Sequence, residues 1–181
     1  GGSFANFDLT NGSLQIGQFW TANYSQGSSS LDGAAEELRE RLLESLKYRL
    51  QSDVPLGVFL SGGIDSSTLV GLLCRDLGRS NVKTFSIGFE EASFDESSHA
   101  KLVADYFGTE HHSEIFDEKQ IFDCVPRVVE PLDEPFADPS ILPTYLLSEM
   151  TRKHVTVALG GDGGDELFAG YGRYFRTTIE Q

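Results

Sequence analysis

Residues 56–67 read LGVFLSGGIDSS, and this stretch decides the fold class. Its first half, Leu56–Leu60, is a short apolar run between a proline and a glycine loop, which is typical of a strand buried on both faces. Its second half leads directly into a helical pattern of leucines that ends at Gly78. A buried strand joined to a helix in this way is the first part of a βαβ unit.

The same alternation continues along the chain. Further strands are predicted at 82–89, near 111–116 and at 155–159, and helices at 34–50, about 95–107, 118–130 and 139–153. Strands alternating with helices predict an α/β fold, a parallel sheet with helices on both faces. Ligands of such sheets bind at the carboxyl ends of the strands, so the loops after Leu60, Phe89 and Leu159 are the candidate site.

The first 24 residues predict a β-hairpin outside this sheet. Asn11-Gly12 is a strong two-residue turn signal, and counting outward from it pairs Leu9 with Leu14 and Phe7 with Ile16. Residues 25–33 are rich in Ser and Gly and predict a linker. The main domain is therefore expected to occupy residues 34–181.

Composition excludes several classes of function. The 181 residues carry a net charge of −14, which argues against a nucleic-acid surface and against an anionic membrane as partner. The two cysteines, Cys74 and Cys124, form no CxxC pair, which argues against a disulfide framework or a structural zinc site. The expected location is the reducing cytoplasm.

The loop Ser61–Ser67 has the composition of a phosphate cradle. Its two glycines allow close approach of the backbone, and the amides at a helix start favour an anion. The loop lacks the GK[ST] ending of the mononucleotide P-loop. Taken alone, it leaves open an ordinary strand-to-helix turn in which Asp65 or Ser66 caps the helix.

The loop after the last strand, Gly160–Tyr171, begins with four glycines and three acids in seven residues. Carboxylates in a tight loop suit Mg²⁺, whose remaining ligands are substrate phosphates. The alternative is a helix start with acids against the helix dipole, which explains Asp165 and Glu166 but not the glycines. Asp65 and Asp165 both follow buried strands, so they are expected to bridge one or two Mg²⁺ ions to a pyrophosphate.

Five ordered segments resemble the synthetase domain of the glutamine-hydrolysing asparagine synthetases: LGVFLSGGIDSS, TFSIGFE, FDESSHAKLVADYFGTEHH, DEPFADPSILPTYLLS and LGGDGGDELFAGYGRY. SGGIDSS itself resembles the pyrophosphate-binding loop of the N-type ATP pyrophosphatases, which implies the adenine nucleotide alpha hydrolase-like fold. The resemblance implies ATP-dependent amide formation. ATP and a carboxylate form an acyl-adenylate, and ammonia derived from glutamine then attacks it.

The resemblance also implies a role for individual residues. The adenine would contact the backbone of Leu60, Ile87, Gly160 and Gly161. The pyrophosphate end of ATP would be held by Ser61, Gly62, Gly63, Asp65, Ser66 and Ser67, and Mg²⁺ by Asp65 and Asp165. Asp162, with Asp165, is a catalytic candidate, and it stands where many members carry Glu. Gly160 replaces a common Ser.

What the resemblance implies about the whole protein extends beyond these residues. Residues 1–24 resemble the segment between the glutaminase and synthetase domains, and residues 34–181 the first part of the latter. The glutaminase nucleophile and a lysine of the later helical part have no match here, so this chain is expected to be a fragment unable to complete the reaction alone. Expected partners are ATP, aspartate or another carboxylate, ammonia, the glutaminase domain and a second copy in a homodimer.

The sequence alone leaves several alternatives open. Relatives that make a β-lactam or a macrocyclic amide share the ATP-binding residues, and so would a nucleotide-binding module without catalysis. Asp133, Glu134 and Asp138 either line the acceptor pocket or form a turn and helix cap. His111 and His112 are adjacent on a predicted strand and point to opposite faces, so we predict a structural role for them.

Overall fold

The computed structural model describes residues 2–23, 30–91 and 95–174. Contacts between residues divide the chain into two units, 1–39 and 40–181. The predicted linker at 25–33 lies largely outside the described residues, but its last three belong to a helix that starts at Leu31, before the predicted Ala34. Among the described residues, no helix is long and apolar enough to cross a bilayer.

The strands and helices follow the predicted order. They are β1 (Ser3–Phe7), β2 (Leu14–Gln18), α1 (Leu31–Arg49), β3 (Leu56–Phe59), α2 (Ile64–Gly71), β4 (Lys83–Phe89), α3 (Ser97–Phe107), β5 (Glu110–Phe116), α4 (Glu118–Val129), α5 (Ile141–Arg152), β6 (Val157–Leu159) and α6 (Gly164–Phe168). A π-helical turn, Leu72–Asp76, continues α2.

The first unit contains the predicted hairpin, but its register differs from the prediction. Phe7 pairs with Leu14 and Ala5 with Ile16, so the turn is two residues longer than a tight Asn-Gly turn. The cause is Asp8, whose carboxylate accepts the amide of Thr10 and the side-chain amide of Asn11. These bonds also hold the pKa of Asp8 below its usual value, with the Thr10 hydroxyl as the largest cause.

The second unit confirms the parallel sheet with helices on both faces. The strand order is β5-β4-β3-β6, and every pair is parallel. Alternate residues of β3 and β4 reach opposite layers. On one face Val58 and Leu60 pack with α1, α2 and α3, and on the other Phe59 and Phe85 pack with Met150 of α5. The two central strands are thus buried on both sides, which the apolar run Leu56–Leu60 predicted for the first of them.

Candidate nucleotide site at the carboxyl ends of the strands

A cavity of about 420 Å³ opens where β3, β4 and β6 end. Its volume falls within the range of ~300–1,000 Å³ typical of small-molecule sites. Among the residues proposed for the site, it is lined by Leu60, Ser61, Gly63, Asp65, Ser66, Ile87, Gly160, Gly161 and Asp162. The sheet therefore brings together segments about a hundred residues apart in the chain.

Three of the proposed residues are not part of the cavity wall. Gly62 packs behind its loop, Ser67 lies further into α2, and Asp165 lies beyond the rim, with its carboxylate against Gly170. A β-carbon on Gly170 would lie 1.9 Å from Asp165 Oδ1. Asp65 and Asp165 are thus on neighbouring loops, and of the two only Asp65 lines the cavity.

The serine side chains give the Ser61–Ser67 loop its shape. The hydroxyl of Ser66, which is buried, accepts the Ser61 amide at 3.3 Å and donates to the Gly63 carbonyl at 3.3 Å. The hydroxyl of Ser61 accepts the Gly63 amide at 3.2 Å. The N-cap of α2 is Gly63, and no side chain caps it, so the alternative of Asp65 or Ser66 as helix cap is wrong.

The amino end of α2 forms part of the cavity wall. Ile64, Asp65 and Ser66 all line the cavity, and the first amides of a helix have no partner within it. The helix dipole adds partial positive charge at the same place. Deeper in this turn, the buried hydroxyl oxygen of Ser67 has no hydrogen-bond partner in the structure. This end of the cavity therefore favours an anion with several oxygens.

Gly62 allows the loop to lie against α3. Its φ of +84° is in the left-handed region, which favours glycine. A β-carbon there would lie 2.5 Å from the carbonyl carbon of His99 and 2.6 Å from the Ala100 amide nitrogen. The backbone of the loop thus approaches the backbone of α3 more closely than any side chain permits.

The two glycine-rich loops are also in contact with each other. A β-carbon on Gly161 would lie 3.0 Å from that of Asp65, and one on Gly164 would lie 2.4 Å from Asp65 Oδ2. Asp165 and Glu166 do stand in the first turn of the short helix α6, as the helix-start alternative proposed. The helix-start alternative did not explain the glycines of this loop. Two of them, Gly161 and Gly164, leave the space that Asp65 occupies.

The cavity is lined by carboxylates rather than by basic side chains. Asp65, Glu96 and Asp162 border it, and no lysine or arginine does so among the described residues. A polyphosphate beside three carboxylates needs a cation between them. Mg²⁺ is usually bound by one or two carboxylates together with substrate phosphates, so this donor set fits it. No cluster of three metal-ligating side chains occurs in the described residues.

Sequence reasoning missed several residues of the wall. These are Phe59, Ile64, Phe85, Ser86, Phe89, Glu96, Ala100, Thr144 and Leu147. Ser86 and Phe89 lie within two residues of the predicted Ile87 at the end of a strand, so their position was a usable signal. Thr144 and Leu147 lie on the inner side of α5, and no local pattern reveals which helix covers the end of a sheet.

Side chains around the rim hold the neighbouring loops. Asp95 accepts the Ser97 amide at 3.1 Å and the Ser97 hydroxyl at 2.9 Å, and these bonds hold the pKa of Asp95 below its usual value. Asp138 accepts the Ser140 amide at 2.9 Å just before α5. Asp138 thus acts in the turn before the helix, and Asp133 and Glu134, like Asp138, lie outside the cavity wall.

The segment after α6 is held by a tyrosine. Tyr171 donates its hydroxyl to Glu166 Oε1 at 2.7 Å. This hydrogen bond is the main cause that raises the pKa of Tyr171 to about 12, and it lowers the pKa of Glu166. The bond ties the end of this loop back to the turn that carries Asp165.

The fold and the cavity define an α/β protein with a phosphate-type loop at the carboxyl end of its first parallel strand. The family model for asparagine synthase matches residues 37–181. The chain therefore belongs to the asparagine synthase family.

Individual relatives agree with this assignment. A protein of Methanocaldococcus jannaschii, provisionally named a glutamine-hydrolysing asparagine synthetase, is 50% identical over 136 residues, 75% of this chain and 26% of the relative. Asparagine synthetase [glutamine-hydrolyzing] 1 of Bacillus subtilis is 39% identical over 163 residues, 90% of this chain and 26% of its own. Amidase chyE of Penicillium rubens is 33% identical over 172 residues, 84% of this chain and 25% of its own. The chain thus spans about a quarter of the length of these curated relatives.

Proposed function

We propose that this chain is the nucleotide-binding part of an ATP-dependent ligase that converts a carboxylate into an amide. The preferred reaction is asparagine synthesis from aspartate, ATP and glutamine-derived ammonia. The observation that carries the proposal is that one cavity, at the carboxyl ends of three parallel strands, is lined by the SGGIDSS loop, Ile87 and Gly160–Asp162. Family membership and the names of the relatives support the choice of reaction.

In this proposal the triphosphate lies over the amino end of α2. The amides at the start of the helix, with Ser61, Gly63 and Ser66, bind the β and γ phosphates, while Gly62 and Ser67 support the loop from behind the cavity wall. Leu60, Ile87, Gly160 and Gly161 contact the base. Forming an acyl-adenylate breaks the bond between the α and β phosphates and places negative charge on the departing pyrophosphate. Backbone amides aimed at that charge stabilise it without any proton transfer.

Mg²⁺ would be held by Asp65 and by Asp165 on the adjacent loop. When bound, the ion neutralises phosphate charge in a cavity that is otherwise lined by carboxylates. Asp162 also lies on the cavity wall, and with the family resemblance this supports its assignment to the acyl-transfer half of the reaction. Its carboxylate covers Gly160, where a β-carbon would lie 2.6 Å from Asp162 Oδ2.

The remaining parts of the proposal concern the whole protein. Residues 1–24 would form the segment between a glutaminase domain and the synthetase domain, followed by a linker at 25–33 and the synthetase domain from 34. Ammonia would come from the glutaminase domain, the protein would act in the cytoplasm, and a homodimer is the expected assembly. This chain alone would bind ATP but not complete the reaction.

A titration of the 181-residue chain with ATP and Mg²⁺ in a calorimeter tests the site. We expect binding that Asp65→Ala abolishes. Asp123→Asn is the matched control, because Asp123 is an exposed acid of α4 that pairs with Lys119 away from the cavity. Equal binding by the Asp65 variant and the wild type would refute the assignment of Asp65.

A related ligase that makes a β-lactam or a macrocyclic amide would share this site. One of the relatives, Amidase chyE, is not named as an asparagine synthetase. Mass spectrometry of the product formed by the full-length protein separates the two. Detection of asparagine supports asparagine synthesis as the reaction, and detection of a different amide without asparagine refutes it. A protein that binds ATP but releases no pyrophosphate with any carboxylate would be a binding module.

A further inference from the structure

A chain of polar side chains crosses strands β4 and β5 on the face that packs against α3. Thr84 Oγ1 lies 2.8 Å from Thr109 Oγ1 and 2.9 Å from His111 Nδ1. His111 Nε2 lies 3.3 Å from Ser86 Oγ, and Ser86 Oγ donates to Ser113 Oγ at 3.0 Å. Thr84 and Ser86 are buried at 0% and 4% exposure, so little water competes for these bonds.

The donors in this chain are fixed by one another. Because Ser86 gives its only proton to Ser113, the bond from His111 Nε2 must be a donation to Ser86. A neutral imidazole with its proton on Nε2 then accepts at Nδ1, so Thr84 donates to it, and Thr109 donates to Thr84. Burial lowers the pKa of His111, with nearby Lys101 as a smaller cause, and this agrees with the neutral form.

Ser86 is also part of the cavity wall. It stands immediately before Ile87 and beside Leu60, whose amide donates to the Phe85 carbonyl at 2.8 Å. These two positions are the ones assigned above to the base of the nucleotide. With its proton committed to Ser113, Ser86 has no donor for a ligand and retains a lone pair on Oγ. A ligand group that reaches this oxygen from the cavity must therefore bring an N–H donor and not a carbonyl.

We propose that Ser86 is a specificity-determining residue that selects a 6-aminopurine over a 6-oxopurine, with His111 and Ser113 as the residues that orient its hydroxyl. Adenine presents an N–H donor at position 6, whereas hypoxanthine presents an oxygen acceptor there. A lone pair of Ser86 attracts the amino group and repels the carbonyl oxygen. This inference rests on the proposed function, because it places the base of ATP against β4.

The test compares ATP with inosine triphosphate, both as Mg²⁺ complexes, by calorimetry on the 181-residue chain. The two nucleotides share ribose and phosphates, so their ratio of dissociation constants reports only on the base. Wild type should prefer ATP. Ser86→Ala should weaken ATP binding by about 3- to 10-fold, the loss expected for one hydrogen bond. Inosine triphosphate should bind this variant at least as tightly as it binds the wild type, because the repelling lone pair is gone.

Ser113→Ala gives a sharper result. Removal of the acceptor frees the Ser86 proton, so Ser86 can donate to a 6-oxo group, and binding of inosine triphosphate should improve relative to ATP. The matched control is Thr109→Val, which removes a hydroxyl from the far end of the same chain without changing side-chain shape. It should lower stability while the nucleotide ratio stays at the wild-type value.

The possible outcomes distinguish a failure of the Ser86 inference from a failure of the proposed function. If both nucleotides bind and the ratio is the same in wild type, Ser86→Ala and Ser113→Ala, the specificity role of Ser86 is wrong and the proposed site stands. A ratio that shifts equally in Thr109→Val would reduce the polar chain to a structural role and also overturn the inference. If neither nucleotide binds to the wild type, the proposed function fails and the inference fails with it.

Discussion

The carboxylate of Asp65 occupies the space that a side chain at position 164 would need. The two residues lie 99 positions apart, and a β-carbon on Gly164 would be 2.4 Å from Asp65 Oδ2 and 2.5 Å from its carboxyl carbon. Asp65 belongs to the first turn of α2, and Gly164 is the first residue of α6. The two loops proposed to hold Mg²⁺ and pyrophosphate are therefore interlocked, and either one positions the other.

Substitution of Gly164 by alanine should damage binding more than folding. Alanine is the better helix former by about 1 kcal/mol, which offsets part of the local strain. The new methyl group must displace the Asp65 carboxylate, which the proposed function makes a Mg²⁺ ligand. We expect the affinity for Mg²⁺–ATP to fall about 10-fold in calorimetry, which corresponds to ~1.4 kcal/mol of binding free energy. Urea unfolding should change by less than about 1 kcal/mol.

Gly172→Ala is the control for this prediction. Gly172 belongs to the same C-terminal stretch, and a β-carbon there would meet no atom within 4 Å. Its variant should bind nucleotide like the wild type. Wild-type affinity in Gly164→Ala would show that the position of Asp65 does not matter to the site.

Gly62→Ala should lower the stability of the second unit. The substitution combines a strained φ with a clash against the backbone of His99 and Ala100, which cannot rotate away as a side chain can. We expect a loss of about 3 kcal/mol in the free energy of unfolding, measured by urea denaturation. Gly78→Ala separates the two causes, because Gly78 also has a positive φ, +59°, but has open space around it. Its loss should be only about 1 kcal/mol, and equal losses in the two variants would contradict the close approach.

Much of the fold followed from local pattern. Leu56–Leu60 was recognisable as a buried strand because an apolar run of that length between Pro and Gly has few other structures available. The same reasoning failed in the hairpin, where Asn11-Gly12 suggested a tight turn. Asp8 competes for the turn amides with its side chain and lengthens the loop, and pairing rules do not include that competition.

The composition of a loop predicted the cavity wall best where glycines are unusually frequent. Ser61–Ser67 and Gly160–Asp165 stand out because their glycines exceed what a turn requires. Glu96 and Thr144 line the same cavity, yet each lies in a segment that looks like any other helix or helix start. Their places depend on how α3 and α5 pack across the sheet, which is a tertiary property. The π-helical turn at Leu72–Asp76 likewise has a leucine pattern that fits an α-helix equally well.

The start of α4 offers a test of local stability away from the site. Asp117 accepts the Gln120 amide at 2.7 Å, and Gln120 Oε1 accepts the Asp117 amide at 2.9 Å, which forms a capping box. Asp117→Ala removes one of these bonds and should lower the free energy of unfolding by about 1 kcal/mol. Asp117→Asn keeps the acceptor and should stay close to the wild type in the same urea titration. An alanine variant as stable as the asparagine variant would show that the box contributes nothing.

The stability of the fold should decrease with acidification in the range where His111 titrates. Burial is the largest cause that lowers the pKa of His111 in the folded state, and Lys101 and His112 lower it further against the weaker opposing effect of Asp105. The unfolded chain binds this proton near the ordinary histidine pKa of about 6.5. Below that pH the unfolded state therefore holds more protons than the folded state, so the free energy of unfolding falls as the pH drops from 6.5 to the lowered pKa. The slope from one proton is at most about 1.4 kcal/mol per pH unit.

Urea unfolding at pH 7.5, 6.5 and 5.5 measures this slope. The variant His111→Gln keeps a donor and an acceptor but does not titrate, so it should flatten the pH dependence. Identical slopes in the two proteins would show that His111 does not contribute.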